Sequence, residues 1–404
     1  MARSLTTRSL TARETAAETR GSWGLLAVLS GTMLLDALEV STAIVALPAL
    51  AADLGIGAAG ATWVVGAFAL GFGGLLIVLR NLAARWGERQ AYLAALALFA
   101  AASVVCALAD APAILVAARL VKGACAALTA PAGLAFIARY FPEGPPRHRA
   151  ISVYTFLGAW GFTLGLIISG LLTAADWRWT FLLPAPVALV LLVSGLRLLP
   201  ATPGGPPPRL QIGALLVHAP LVRSALGAAT LNGTVWGLLV EWTFRLQDEL
   251  GWTSWQAGIA LVPASLPAAL VSPVAGRLVR RFGTARQITA GAALVPLGCL
   301  LAWSAAHERT GSPAAYAVDV LPWLLLVGTG FAMCFSSLHI QALSGLEPAR
   351  HGAASAAYQT MVQLGGVLVL ALVSVTANPV ALTLVGLLGF LVALTGVIPV
   401  RRTV

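Results

Sequence analysis

The chain has 404 residues, of which 59% are hydrophobic and only 10% charged, with a mean hydropathy of +0.88. A soluble domain is about 25% charged, so this composition excludes one and points to helices in a bilayer; barrel strands would alternate in polarity, and these segments do not. The formal net charge of +10 falls in short connecting segments, where basic residues set topology, so no nucleic-acid partner is expected.

Residues 1–22 (MARSLTTRSLTARETAAETRGS) lack the apolar core of a cleavable signal and read as a disordered cytoplasmic tail. A bilayer crossing needs about 20 apolar residues. Twelve such stretches follow, at 23–47, 61–80, 91–109, 113–139, 151–174, 180–199, 223–246, 256–278, 286–306, 317–341, 353–376 and 380–399. Arginines crowd the segments on one side of this pattern, and Asp53, Asp110, Asp176, Asp248, Glu249 and Asp319 fall on the other. The asymmetry predicts both termini in the cytoplasm. The cysteines (106, 125, 299, 334) lie singly in apolar runs with no metal spacing.

The proline-rich connection between the sixth and seventh stretches cannot be a helix interior. It divides the chain into a bundle at 23–199, a cytoplasmic linker at 200–222 and a second bundle at 223–400. The halves repeat locally. RNLAARWGERQ (80–90) ends the second stretch and GRLVRRFGTAR (276–286) ends the eighth. Each follows a helix with a short basic turn, and Gly87 and Gly283 stand at the same offset, where glycine tolerates positive φ. Parallel six-span repeats around a central path are a transporter signature.

Six charged groups sit at membrane depth: Asp36 and Glu39, Arg119 and Lys122, Glu241 and Arg245. Each costs about 2.5–3.5 kcal/mol on insertion scales unless paired or wet. Asp36 and Glu39 are three apart, as are Arg119 and Lys122. At 1.5 Å per residue, Glu39 and Lys122 each lie about 13 Å below the outer membrane face. Glu241 and Arg245 are in a favourable i,i+4 order and read either as a local helix pair or as part of an outer gate. Glu241 is the deeper of the two.

Several stretches taken in order resemble the major facilitator superfamily, specifically its drug/proton antiporter branch of DHA2-like type. They are LEVSTAIVALPALAADLG (38–55), RLVKGACAALTAPAGLAFIARYFP (119–142), DWRWTFLLPAPVAL, GWTSWQAGIALVP and GAASAAYQTMVQLGG. The resemblance implies an all-α membrane protein of two six-helix bundles around a central cavity, with twelve transmembrane helices. Glu39 stands where the family has Asp, and Arg119 takes the place of its membrane-embedded arginine. The family's loop pattern GxLADRxGRR maps onto Arg80, Arg85 and Gly87, and again onto Gly276, Arg281 and Gly283. Here its Asp is replaced by Ala84 and Arg280, and its leading Gly by Arg80. Lys122 replaces a Gln. GFTLGLIISG (161–170) keeps its glycines but has Phe162 and Leu166 where the antiporter pattern has proline.

The resemblance implies that the first and fourth spans line the cavity, so two carboxylates can meet two cations at one level. Glu39 is the first choice for proton coupling and Asp36 the second, with Arg119 and Lys122 as charge partners; a permanent cluster pinning the first half is the alternative. Trp160, Asn232, Trp236, Gln359 and Gln363 lie in spans that face inward in that fold and are candidates for substrate contact. The expected function is proton-coupled export of hydrophobic or amphipathic small molecules by alternating access, from a bacterial plasma membrane. The protein is expected to act as a monomer in lipid, without cofactor or metal. A uniporter or dedicated metabolite exporter stays open because of Lys122 and the lost prolines, as does a non-transporting receptor or scaffold. No GxxxxGK[ST], HExxH or GxSxG pattern occurs, so ATP-driven transport and enzymatic activity are not expected.

Overall fold

The computed structural model describes residues 2–205, 217–305, 315–347, 350–376 and 383–389, with the single positions 213, 215, 391 and 392. Helices dominate, and no strand occurs among the described residues. The first half runs α1 (Ala2–Asp53), α2 (Ala58–Trp86), α3 (Glu88–Ala107), α4 (Pro112–Tyr140), α5 (Pro145–Thr173), α6 (Trp177–Leu182) and α7 (Pro184–Leu198). The second half runs α8 (Ala219–Phe244) with a π-helical turn (Arg245–Glu249), α9 (Ser254–Val271), a 3-10 turn (Ser272–Val274), α10 (Ala275–Phe282) and α11 (Thr284–Ala305). A second π-helical turn (Tyr316–Val320) then leads into α12 (Leu321–Ala342) and α13 (His351–Thr376).

Ten helical segments are long and apolar enough to cross a membrane, and they match the first six expected spans and the eighth to eleventh. The 26-residue α8 occupies the seventh place. Residues 383–389 are helical, and the rest of the expected twelfth span lies largely outside the described residues. The helical backbone reaches back to Ala2, through the tail expected to be disordered; its Ala, Glu and Arg content favours helix. The eighth stretch is not one helix. It breaks at Ser272–Val274, where Pro273 brings no N–H. Proline opens α4, α5 and α7, where its missing N–H costs nothing.

The repeat suspected between 80–90 and 276–286 exists in the backbone. Gly87 has φ +95° and Gly283 φ +78°. Each donates its N–H to the carbonyl four residues back, Ala83 at 2.9 Å and Val279 at 2.8 Å. We call the membrane face holding these turns the basic end, and the face holding Asp53, Asp110, Asp176 and Asp248 the acidic end.

The lobes meet along two seams, α2 against α13 and α5 against α9. Across them, Thr360 Oγ1 donates to the Gly73 carbonyl (3.0 Å), Thr163 Oγ1 to Ser265 Oγ (3.0 Å) and Ser254 Oγ to the Gly170 carbonyl (3.1 Å), and beside them Gln247 Nε2, on the turn after α8, donates to the Val45 carbonyl of α1 (3.0 Å). These four bonds lie from mid-membrane to the acidic end. Glycines in α5 allow close packing on both sides: within the first lobe a Cβ on Gly161 would lie 2.5 Å from the Leu34 carbonyl of α1, and at the seam one on Gly170 would lie 2.8 Å from the Ser254 carbonyl.

Candidate functional site: a buried charge cluster in the first lobe

Two glycines set the geometry. A Cβ on Gly71 would collide with the Leu120 carbonyl, and one on Gly123 with the Phe68 carbonyl. Without those side chains, the backbones of α2 and α4 touch, and Arg119 of α4 is carried against α2 and α1.

Arg119 is then held from several sides. Its Nη1 donates to Glu39 Oε2 at 2.6 Å and to the Glu39 backbone carbonyl at 3.0 Å, and its Nε donates to the Val64 carbonyl at 3.0 Å. The guanidinium lies 4.9 Å from the Phe68 ring and 5.8 Å from the Phe181 ring. Lys122 Nζ donates to the other carboxylate oxygen, Glu39 Oε1, at 2.6 Å, and sits 4.8 Å from the Phe99 ring. Glu39, Arg119 and Lys122 are each 0% exposed. Burying such charges costs several kcal/mol each, and short charge-assisted bonds with ring faces are what offset it.

Asp36 departs from expectation. It does not share the two cations; Glu39 takes both. Asp36 Oδ2 instead accepts from Thr129 Oγ1 at 2.8 Å. The reason is register: α4 runs antiparallel to α1, so Lys122 is level with Glu39 while Thr129, two turns on, is level with Asp36. The rings around the pair belong to α2, α3 and α6, so this cluster lies inside the first lobe and not on the seam. Asp36, at 8% exposure, is the less enclosed carboxyl.

The second-lobe charges are also rearranged. Arg245 does not close on Glu241; its Nη1 pairs with Glu249 Oε2 at 3.2 Å, and its guanidinium lies 5.5 Å from the Trp242 ring. The π-helical turn continues the chain past α8 and brings Glu249 into reach. The Glu241 backbone carbonyl accepts from the Arg245 N–H, and its carboxylate forms no ion pair among the described residues, Arg245 being taken by Glu249.

The neutral candidates fall at several places. Asn232 and Trp236 of α8 are buried and face Gly366 of α13. Gln363 packs its Cβ on Gly73 across the α2–α13 seam. The Oε1 atoms of Gln359 and Gln363 and the Trp160 indole Nε1 are buried with no hydrogen-bond partner among the described residues, and Trp160 leans on Phe156. These residues do not form one cluster with Glu39. Of the loop residues, Arg80 is half-buried and its guanidinium lies 3.2 Å from where a Cβ on Gly352 would stand, at the first turn of α13. Arg85, Gly276 and Arg281 are exposed.

Sequence reasoning missed Thr129, the three phenylalanines around the cations, and Gln247. Thr129 stands ten residues after Arg119 in a run of small residues, and only the antiparallel register with α1 marks it. Gln247 lies beyond the expected seventh span, on a turn that apolar periodicity does not show.

Comparison with known proteins agrees with this architecture. The chain is similar to the uncharacterized MFS-type transporter EfpA of Mycobacterium tuberculosis, 28% identical over 89% of this chain and 78% of the relative. It is similar to the puromycin resistance protein pur8 of Streptomyces alboniger (29%; 88% and 82%) and to the cephamycin export protein CmcT of Amycolatopsis lactamdurans (30%; 84% and 82%). A solved structure, of a mutant of the nucleoside transporter NupG, superposes with a TM-score of 0.69 over 92% of this chain and 97% of that one, at 15% identity, which speaks for the fold alone. The sequence profile described as Major Facilitator Superfamily matches residues 29–370. The chain therefore belongs to the Major Facilitator Superfamily, as a multi-pass membrane transporter and not an enzyme.

Proposed function

We propose that this transporter exports hydrophobic or amphipathic small molecules from the cytoplasm across a bacterial inner membrane, by alternating access of its two lobes and in exchange for protons. The basic end then faces the cytoplasm and carries both termini, and one chain suffices. The relatives named for puromycin resistance and cephamycin export support an organic small molecule as cargo.

One observation carries the coupling: two carboxyls one turn apart on α1 have opposite surroundings. Protonating Glu39 would leave Arg119 and Lys122 buried with no counter-charge, which is strongly unfavourable. Protonating Asp36 breaks no ion pair, because its partner is the neutral Thr129 hydroxyl. Asp36 is therefore the proton carrier, and Glu39 fixes the charge around it. This reverses the order expected from the motif alone.

The test is flux in vesicles reconstituted with the full chain under an imposed pH gradient, with ethidium and puromycin as probes. Gradient-driven flux that falls to background in Asp36→Asn is expected. Flux that ignores both the gradient and Asp36→Asn would reject proton coupling and favour an uncoupled exporter.

A further inference from the structure

Thr129 has more to do than fill space beside Asp36. Its hydroxyl carries one proton and has three acceptors in range: Asp36 Oδ2 at 2.8 Å, the Cys125 carbonyl at 3.2 Å and the Ala126 carbonyl at 3.3 Å. It cannot satisfy all three at once. We propose that Thr129 is a two-position hydroxyl switch, a positioning residue that reads whether Asp36 holds a proton and passes that state to α4. This rests on Asp36 being the proton carrier.

The two positions follow from donor and acceptor arithmetic. With Asp36 ionised, Thr129 Oγ1–H donates to Oδ2. With a proton on Oδ2, the carboxyl becomes the donor and Thr129 Oγ1 the acceptor. The threonine proton then turns to the Cys125 carbonyl, one helical turn back. No proton leaves Thr129; the incoming one stays on Asp36. A threonine that back-bonds to the carbonyl four residues earlier bends its helix. Here the helix is already weak, since Pro131 lies inside α4 and leaves the Ala127 carbonyl without its usual amide partner. Tyr154 of α5 braces the same place, its hydroxyl donating to the Ala130 carbonyl at 2.8 Å. Protonation on α1 is thereby linked to the bend of α4 and, through Tyr154, to α5, which forms a seam with the second lobe.

The titratable groups within electrostatic reach of Asp36 are Glu39 on α1, Tyr92 on α3, Cys125 on α4 and Tyr154 on α5. Lys122, also on α4, is held on Glu39. The hydrogen bond to the carboxyl comes from none of these but from the Thr129 hydroxyl.

The experiment is pH-titrated infrared difference spectroscopy of the full chain in lipid nanodiscs, reading the protonated-carboxyl C=O band, which needs no cargo. Asp36→Asn should remove one band. Thr129→Val should move the midpoint of that band up by about one to two pH units, the worth of a hydrogen bond to a charged group, and Thr129→Ser should restore it. Thr129→Ala replaces the valine variant should that fail to fold. Amide-exchange protection over residues 125–133, taken relative to the intrinsic rate at each pH, should differ between low and high pH in the native chain and not in Thr129→Val. A band that vanishes in Asp36→Asn but keeps its midpoint without the hydroxyl overturns the switch and leaves Asp36 as carrier. Absence of any band lost in Asp36→Asn overturns both.

Discussion

The side-chain amide of Gln247, on the π-helical turn after α8, donates to the backbone carbonyl of Val45 on α1, 3.0 Å away in the other lobe. A neutral bond of this kind contributes about 1 kcal/mol. Replacing Gln247 by Leu should shift the balance toward opening at the acidic end by about fivefold. Labelling of Ala46→Cys, a position that is 0% exposed, by an impermeant maleimide should accelerate accordingly. An unchanged labelling rate would mean the bond does not hold this end shut.

Glu39→Gln leaves two buried cations facing a neutral amide. Breaking a buried pair in this way costs about 3–5 kcal/mol, so a marked fall in unfolding temperature and folded yield is expected. Adding Lys122→Gln should recover part of the loss, because Arg119 keeps its bonds to the Glu39 and Val64 backbone. A double variant no better than the single one would show that Lys122 does not act through Glu39.

Gly123→Ala should separate α2 from α4. Overpacking of this sort costs about 1–3 kcal/mol, and Arg119 would be drawn off Val64. Gly57→Ala is the matched control, since nothing lies within 4 Å of a Cβ there and its φ of −71° suits any residue. Chemical denaturation of both should show a loss in the first and almost none in the second.

The twin turns should differ in tolerance. Gly283→Ala meets only the backbone penalty of positive φ, about 1–3 kcal/mol, because its surroundings are open. Gly87→Ala adds a collision with the Thr202 carbonyl. The Gly87 variant should therefore unfold at the lower temperature; equal values would show that the two turns carry the same load.

Much of this architecture is legible in the chain because lipid enforces simple rules. Long apolar stretches have to be helices, and glycine at 87 and 283 marks the repeated turn. The buried charges are legible as well, since Glu39, Arg119 and Lys122 have no reason to be apolar-embedded unless they meet. Their pairing pattern is not. Whether Asp36 faces Lys122 or Thr129 depends on the antiparallel register of α4 against α1, which apolar periodicity does not carry. The partner of Arg245 is illegible for a similar reason: ideal helix spacing favours Glu241, but the chain leaves ideal α geometry at 245–249 and Glu249 takes the ion pair.

The link between the lobes begins later than its composition suggests. Gly205 N–H bonds to the Ala84 carbonyl at 2.8 Å, Thr202 Oγ1 accepts from the Arg89 N–H at 2.8 Å, and Arg89 Nε reaches the Leu199 carbonyl at 2.8 Å. Through Gly205, the strap rides with the first bundle as rigid cargo. An insertion at 202–205 would therefore pry the strap from the α2–α3 corner that holds it.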